Sequence, residues 1–231
     1  MNCQSIVENE LLQFSEKQLI IASRLYQEKL IGIVSEEAYY QSLGRLCDKG
    51  IIAKVSKGVY CRPRKTRYGV ILPSEQEIVE TFTNKETGMV VGYRLYNALN
   101  LTTQVSKNSE IYSCGFEGKT RRIGNVNMTY YPLKYSQDVI KTVEWLEVLD
   151  HYYEIQDLNR NAFRKYLSEF TKYYNEDVCK QVLSTVKYPK RTIAFAHQAL
   201  NYNGRENSLG RYLSSLSEYR IPSMEEIYET T

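Results

Sequence analysis

The stretch that most restricts the possible folds runs from Ser35 to Arg67, SEEAYYQSLGRLCDKGIIAKVSKGVYCRPRKTR. Val34, Ala38, Leu43 and Leu46 fall near one side of a helix. Ser35 is of the type that caps a helix start, and Gly50 stands where a left-handed residue ends one. The opposite side carries Tyr40, Gln41, Ser42, Gly44 and Arg45. Two short β-rich runs follow, Ile51 to Val55 and Val59 to Cys61, joined by Ser56-Lys57-Gly58. That glycine supplies the positive φ a tight hairpin turn needs.

Positive charge is concentrated in the same stretch. From Arg45 to Arg67 there are eight basic residues, Arg45, Lys49, Lys54, Lys57, Arg62, Arg64, Lys65 and Arg67, against Asp48 alone. Residues 1–44 carry three basic and six acidic side chains, and the chain from Tyr68 onward carries 19 and 20. Such a segregated patch suits nucleic-acid phosphates, because each bound cation releases condensed counterions. A solvated basic hairpin would show the same charge, but it would not call for the preceding helix with its polar face. Helix, glycine and basic hairpin in that order predict the recognition helix and wing of a winged helix-turn-helix on double-stranded DNA, at an operator with inverted repeats. Tyr40, Gln41, Ser42 and Arg45 are then expected toward base edges. Lys54, Lys57, Arg62, Arg64 and Arg67 are expected on phosphates, with Lys49 and Lys65 in the same patch.

The rest of the chain fits around this stretch. Residues 4–30 suggest two helices, the first with Ile6, Leu11, Leu12 and Phe14, the second with Leu19, Ile20, Ser23 and Tyr26. Ser15-Glu16-Lys17-Gln18 has the spacing of a capping box at the start of the second. The composition shift over Arg62 to Arg67 predicts a linker, after which Tyr68 to Leu72 is a short apolar run. Pro73-Ser74 opens another helix, with Glu75 and Glu77 placed to meet its dipole. Met89 to Val91 reads as a strand and Gly92 to Leu99 as a helix, and three strands are expected at Ile111 to Cys114, Thr120 to Ile123 and Val126 to Tyr131. From Gln137 to Tyr219 apolar residues recur at helical spacing, as in Phe163, Tyr166, Leu167 and Phe170. Ile221 to Thr231 reads as a loosely held tail. The expected class is α+β, with a winged helix-turn-helix over 1–67, a small central α+β unit over 68–135 and a helical C-terminal region over 136–231.

Composition narrows the setting. At 231 residues, 42% hydrophobic and 25% charged, the chain can bury one large core or two small ones. There is no run of 18 apolar residues and no basic n-region in MNCQSIVENELL, so no membrane span or secretory signal is expected. Five scattered cysteines without a CxxC pair predict reduced thiols in a cytoplasm, with neither disulfides nor a zinc site. Tyrosine outnumbers the other aromatics, 21 against 6 Phe and 1 Trp, so many rings must pack with hydroxyls at the core edge.

The succession GRLCDKGIIAKVSKGVYCRP, YGVILPS, GYRLYNALNLTTQV, EIYSCG and RRIGNVNMTYYPL resembles the AbiEi-type antitoxins of bacterial type IV toxin–antitoxin systems, over residues 35–133. In the wing, Gly50, Ile51-Ile52, Lys54 and Lys57-Gly58-Val59-Tyr60 match the family's lone glycine, apolar pair, basic residue and K/R-G-x-Y. In the second motif Asn97, Leu99, Leu101, Thr103, Gln104 and Val105 match N-x-L-G-L-S-T-Q-V, while Asn100 replaces its glycine and Thr102 its serine. The resemblance implies a DNA-binding autorepressor that also neutralises a nucleotidyltransferase-type toxin without forming a stable complex with it. By resemblance alone, Thr102, Thr103 and Gln104 are candidates for an antitoxin surface. From the residues themselves they read as a helix cap and turn.

No phosphate loop of the G-x-x-x-x-G-K-[ST] kind and no G-x-G-x-x-G is present. His151, at a helix end, reads as a cap or surface residue, and His197 as a hydrogen-bonded histidine on an apolar helix face. Glu144, Glu147, Asp150 and Glu154 read as a solvated acidic row. No catalytic residue, metal ligand or cofactor is expected, and the chain reads as non-enzymatic. Two other readings stay open, a winged-helix transcriptional regulator whose C-terminal region binds an unrelated ligand or protein, and a nuclease, for which no catalytic constellation is visible.

Overall fold

A computed structural model of the chain describes residues 2–214 and 216–229. The chain is α+β and falls into two compact units, Met1–Thr81 with Arg122–Val126, and Phe82–Arg121 with Asn127–Thr231.

The first unit begins with helix α1 (Cys3–Leu12), strand β1 (Leu19–Ile21) and the short helix α2 (Ala22–Leu25), which widens into one π-turn over Tyr26–Leu30. Helix α3 (Glu36–Asp48) starts at Ser35, whose hydroxyl accepts from the Ala38 amide at 3.4 Å. Strands β2 (Ala53–Ser56) and β3 (Val59–Cys61) form the hairpin read from sequence. Strand β1 adds to its other side, Leu19 opposite Cys61 and Ile21 opposite Val59, giving the order β1-β3-β2. Val7, Leu11, Ile20, Leu30, Leu43 and Leu46 meet in its core, each at most 1% exposed.

The second expected helix does not start at Ser15. The capping-box contact forms, Ser15 N–H donating to Gln18 Oε1 at 2.9 Å, but it closes a turn. Lys17 takes φ 64°, and the run Leu19-Ile20-Ile21 behind it pairs with β3. Two β-branched residues and an open sheet edge outweigh the local cap.

Residues 62–67 are no linker either. Strand β4 (Arg64–Thr66) pairs antiparallel with β5 (Gly69–Ile71), Arg64 opposite Ile71, and helix α4 (Glu75–Thr83) follows. The compact division falls at Thr81, where composition alone placed it at 67. At the start of α4 the Ser74 N–H donates to Glu77 Oε2 at 2.7 Å and the Glu77 N–H to Ser74 Oγ at 3.3 Å, a reciprocal cap.

Strands β6 (Gly88–Val91), β7 (Ser109–Ser113), β8 (Thr120–Ile123) and β9 (Val126–Tyr130) form a four-stranded sheet in the order β6-β7-β9-β8. Helix α5 (Tyr93–Ala98) links the first two. Helices α6 (Gln137–Asp150), α7 (Arg160–Tyr173), α8 (Glu176–Thr185) and α9 (Lys190–Tyr202) pack around Trp145, which stacks on Phe170 with centroids 4.3 Å apart. The expected loose tail is instead largely held. Helix α10 (Met224–Glu229) buries Met224 and Ile227 in the same core, two apolar side chains a turn apart that have somewhere to go. Thr230 and Thr231, the end of that tail, lie outside the described residues. Among the described residues no helix is long and apolar enough to cross a membrane, and the five cysteines are free thiols.

Candidate nucleic-acid interface

Helix α3 divides into two faces. Tyr39, Leu43 and Leu46 are fully buried, and the Tyr39 hydroxyl is fixed by donating to the Ala22 carbonyl at 3.0 Å. Glu37, Tyr40, Gln41, Gly44, Arg45, Asp48 and Lys49 are exposed. Gln41 Nε2 donates to Glu37 Oε1 one turn back at 3.2 Å, so its amide is already oriented along the outer face.

Ser42 does not belong to that face. It is 3% exposed and its hydroxyl donates to the Ala38 carbonyl at 2.7 Å, with Cys3 Sγ at 3.9 Å. The helical rotation that buries Tyr39 and Leu46 carries Ser42 inward between them, and a small back-bonded hydroxyl meets no penalty there.

The hairpin β2–β3 lies beside α3. Lys54 sits opposite Tyr60 across the hairpin, close enough to Cys47 for its charge to act on that thiol, and Tyr60 stands near Tyr40 and Cys47. Burial raises the Cys47 thiol first, the Asp48 charge adds to this, and Lys54 opposes both. Lys54 and Lys57 are exposed, Lys57 at the turn that Gly58 closes with φ 69°. Gly50 ends α3 as expected, at φ 65°. The hairpin is tied down by the Ala22 N–H, which donates to the Gly58 carbonyl at 3.0 Å.

Beyond the β2–β3 hairpin the basic residues separate into two kinds. Arg62, expected on phosphate, is a strut. Its Nη1 donates to the carbonyls of Leu12 and Phe14 at 3.0 and 2.6 Å, which lie at and just past the end of α1. The last carbonyls of a helix lack intrahelical partners, and a guanidinium meets that need. Arg64, Lys65 and Arg67 remain exposed on the β4–β5 hairpin. The Arg67 guanidinium lies 4.6 Å from the centroid of the Tyr68 ring, which is 84% exposed at the hairpin tip. Sequence reading missed this hairpin. The signal was Thr66-Arg67-Tyr68-Gly69, a turn between two short runs, in which Thr66 Oγ1 donates to the Gly69 carbonyl at 3.0 Å.

The remaining sequence candidates lie in the second unit. Thr102 is buried and donates to the Gln156 carbonyl at 2.6 Å, and Gln104 Nε2 donates to Asp157 Oδ2 at 2.5 Å. The Asn97 side chain holds the Gln104 carbonyl at 2.7 Å. Of the three, Thr103 alone is exposed, so the cluster anchors a loop and presents little surface. His197 is bonded on both ring nitrogens, to Asn207 at 2.7 Å and Asn201 at 3.1 Å. His151 caps α6 with Nδ1 3.0 Å from the Glu147 carbonyl. Of the four acids read as a solvated row, Glu154 is exposed and Glu144 and Asp150 are half-buried, but Glu147 is not solvated. Glu147 is 3% exposed, and burial raises its pKa against the opposing hydrogen bonds of Tyr188 and Tyr112 and the charge of His151.

Residues 11–134, more than half of the chain, match the model of a family of unknown function. No curated protein matches the chain.

Proposed function

The chain belongs to the DUF6088 family, whose function is unknown, and we propose that it is a winged-helix DNA-binding repressor that also serves as an antitoxin. The observation that carries the DNA reading is the outer face of α3. Tyr40, Gln41, Arg45 and Lys49 are exposed there while the inner face is anchored in a core, and the basic hairpin with Lys54 and Lys57 lies beside it. The contact set is narrower than the basic residues alone suggest. Tyr40, Gln41 and Arg45 take the base edges, and Lys49, Lys54, Lys57, Arg64, Lys65 and Arg67 take phosphates. Ser42 and Arg62 leave it.

The antitoxin half rests on the resemblance of residues 35–133 to the AbiEi-type antitoxins. On that footing the protein acts in the cytoplasm, is non-enzymatic, needs no cofactor, and opposes a nucleotidyltransferase-type toxin without a stable complex.

Replacing Lys54 and Lys57 together by Ala tests the DNA reading. Affinity should fall for every sequence, and the slope of log K against log salt should shrink by about two, one for each phosphate contact. An unchanged slope refutes the wing assignment. Arg45→Ala should act differently, relaxing preference at one base position by ~1 to 3 kcal/mol.

A further inference from the structure

The second unit contains a cleft of about 440 Å³ lined from α5, β7, β9 and the end of α6. That volume lies in the ~300–1,000 Å³ range of small-molecule sites. Its chemistry is one-sided. Glu110, Glu147 and Glu154 line it together with the rings of Tyr93, Tyr96 and Tyr112, and no Lys or Arg is among the lining residues.

Glu147 is the key group. Its side chain is 4% exposed, and Oε1 accepts from both the Tyr112 and Tyr188 hydroxyls at 2.9 Å. Oε2 has His151 Nδ1 at 3.8 Å, too far for a hydrogen bond. A buried carboxylate is normally matched by a cation and by bonds to both oxygens. Here one oxygen of a cleft-lining carboxylate has no hydrogen bond and no Lys or Arg, only the His151 ring at 3.8 Å, which also lines the cleft. Glu154 differs, since Arg191 approaches its Oε1 to 3.9 Å and His151 Nε2 its Oε2 to 3.9 Å. At the rim Gly92 has φ 65°, and a Cβ there would fall 2.5 Å from Glu110 Oε2. The bare backbone is what lets that carboxylate lie over the cleft edge.

We propose that this cleft binds a small organic cation, an ammonium group on an aromatic or apolar body, with Glu147 as buried counter-charge and the tyrosine rings around the remainder. Ring faces attract cations and also pack an apolar body. An organic ligand is favoured over a metal ion because, among the described residues, no three of His, Cys, Asp and Glu stand together as a metal would require.

The test is calorimetric titration of the full chain with phenethylammonium chloride, set against 2-phenylethanol, which keeps the ring and removes the charge, and against magnesium chloride. The ammonium compound is expected to bind saturably at millimolar concentration or below, about tenfold or more tightly than the alcohol. Amide resonances should shift over residues 91–96, 110–112 and 147–154. Glu147→Gln should abolish the preference for the charged probe. Should that variant not fold, Glu110→Gln at the exposed rim should weaken the ammonium severalfold and leave the alcohol unchanged. Equal binding of alcohol and ammonium, shifts elsewhere in the chain, no saturable heat, or magnesium displacing the ammonium would each overturn the proposal. No DNA enters this experiment, so its failure leaves the operator reading untouched.

Discussion

Arg62 spends its Nη1 on two carbonyls at the end of α1, and those bonds set what its loss should do. Hydrogen bonds from a charged donor contribute ~1.5–3 kcal/mol when sheltered, and the guanidinium here is partly solvated, so Arg62→Ala should cost ~1 to 2 kcal/mol. Urea unfolding measures that loss, while a binding titration should show the salt slope of the parent chain. A slope reduced by about one would return Arg62 to the phosphates. Glu77 offers a second residue-scale expectation. Lys17, followed by the Ser74 cap, holds its carboxyl down at about 2. A depressed carboxyl stabilises the fold above its ordinary value of 4.5 and loses that contribution as pH falls toward 2. Glu77 is 37% exposed, so screening keeps the effect small. The stability difference between the parent and Glu77→Gln should therefore be present at neutral pH and fade below 4.5. A difference that stays constant through the acid range would mean that the charge is not its source.

Elements decided by neighbouring residues were legible in the sequence, and those decided by distant ones were not. Helix α3 needed only Ser35, its apolar spacing and Gly50, all within 16 residues of one another. The β2–β3 hairpin needed only its glycine turn. Strand β1 is the opposite case, because Leu-Ile-Ile after a capping-box sequence suits a helix until Val59–Cys61, some forty residues on, offers an edge to pair with. The same holds for α10, whose Met224 and Ile227 carry no period of their own and are buried by helices far back in the chain. Ser42 failed for a finer reason. A side chain at the boundary between two helix faces is assigned by about one residue's rotation, and only packing fixes that rotation. The β1 position in the core carries a prediction. Ile20 is 1% exposed, whereas Ile31 and Ile33 are each 64% exposed. Ile20→Ala should destabilise the first unit by ~2 to 5 kcal/mol, and Ile31→Ala or Ile33→Ala should stay within ~0.5 kcal/mol. Comparable losses at all three positions, read from denaturant midpoints, would place the core elsewhere.

At the scale of the whole chain the question is how the labour is divided. The basic patch lies entirely in the first unit, while the chain from Tyr68 onward is almost neutral, 19 basic against 20 acidic residues. A winged domain does not need that much more chain to hold its own core. A cut at 67, as composition suggested, would strip β4 of its partner β5, remove β5 and the start of α4 from the unit in which they lie, and sever Lys17 from Glu77. The compact division at Thr81 falls inside α4, so fragments are best made to overlap there, residues 1–83 and 74–231, each keeping α4 with its Ser74-capped or chain-connected start. The first lacks Arg122–Val126, which cluster with the first unit, so a cooperative melt by circular dichroism comes before any binding assay. Once folded, 1–83 is expected to bind the operator with the salt slope of the full chain, since every residue proposed to contact phosphate lies within it. Residues 74–231, if the antitoxin reading holds, should restore growth to cells expressing a nucleotidyltransferase-type toxin encoded beside this gene, although that fragment no longer binds the promoter. Arrest despite a folded and abundant fragment would make the first unit part of neutralisation, and the surplus chain would then have to be explained by something other than the toxin, for which the acidic cleft of the second unit is the place to look first.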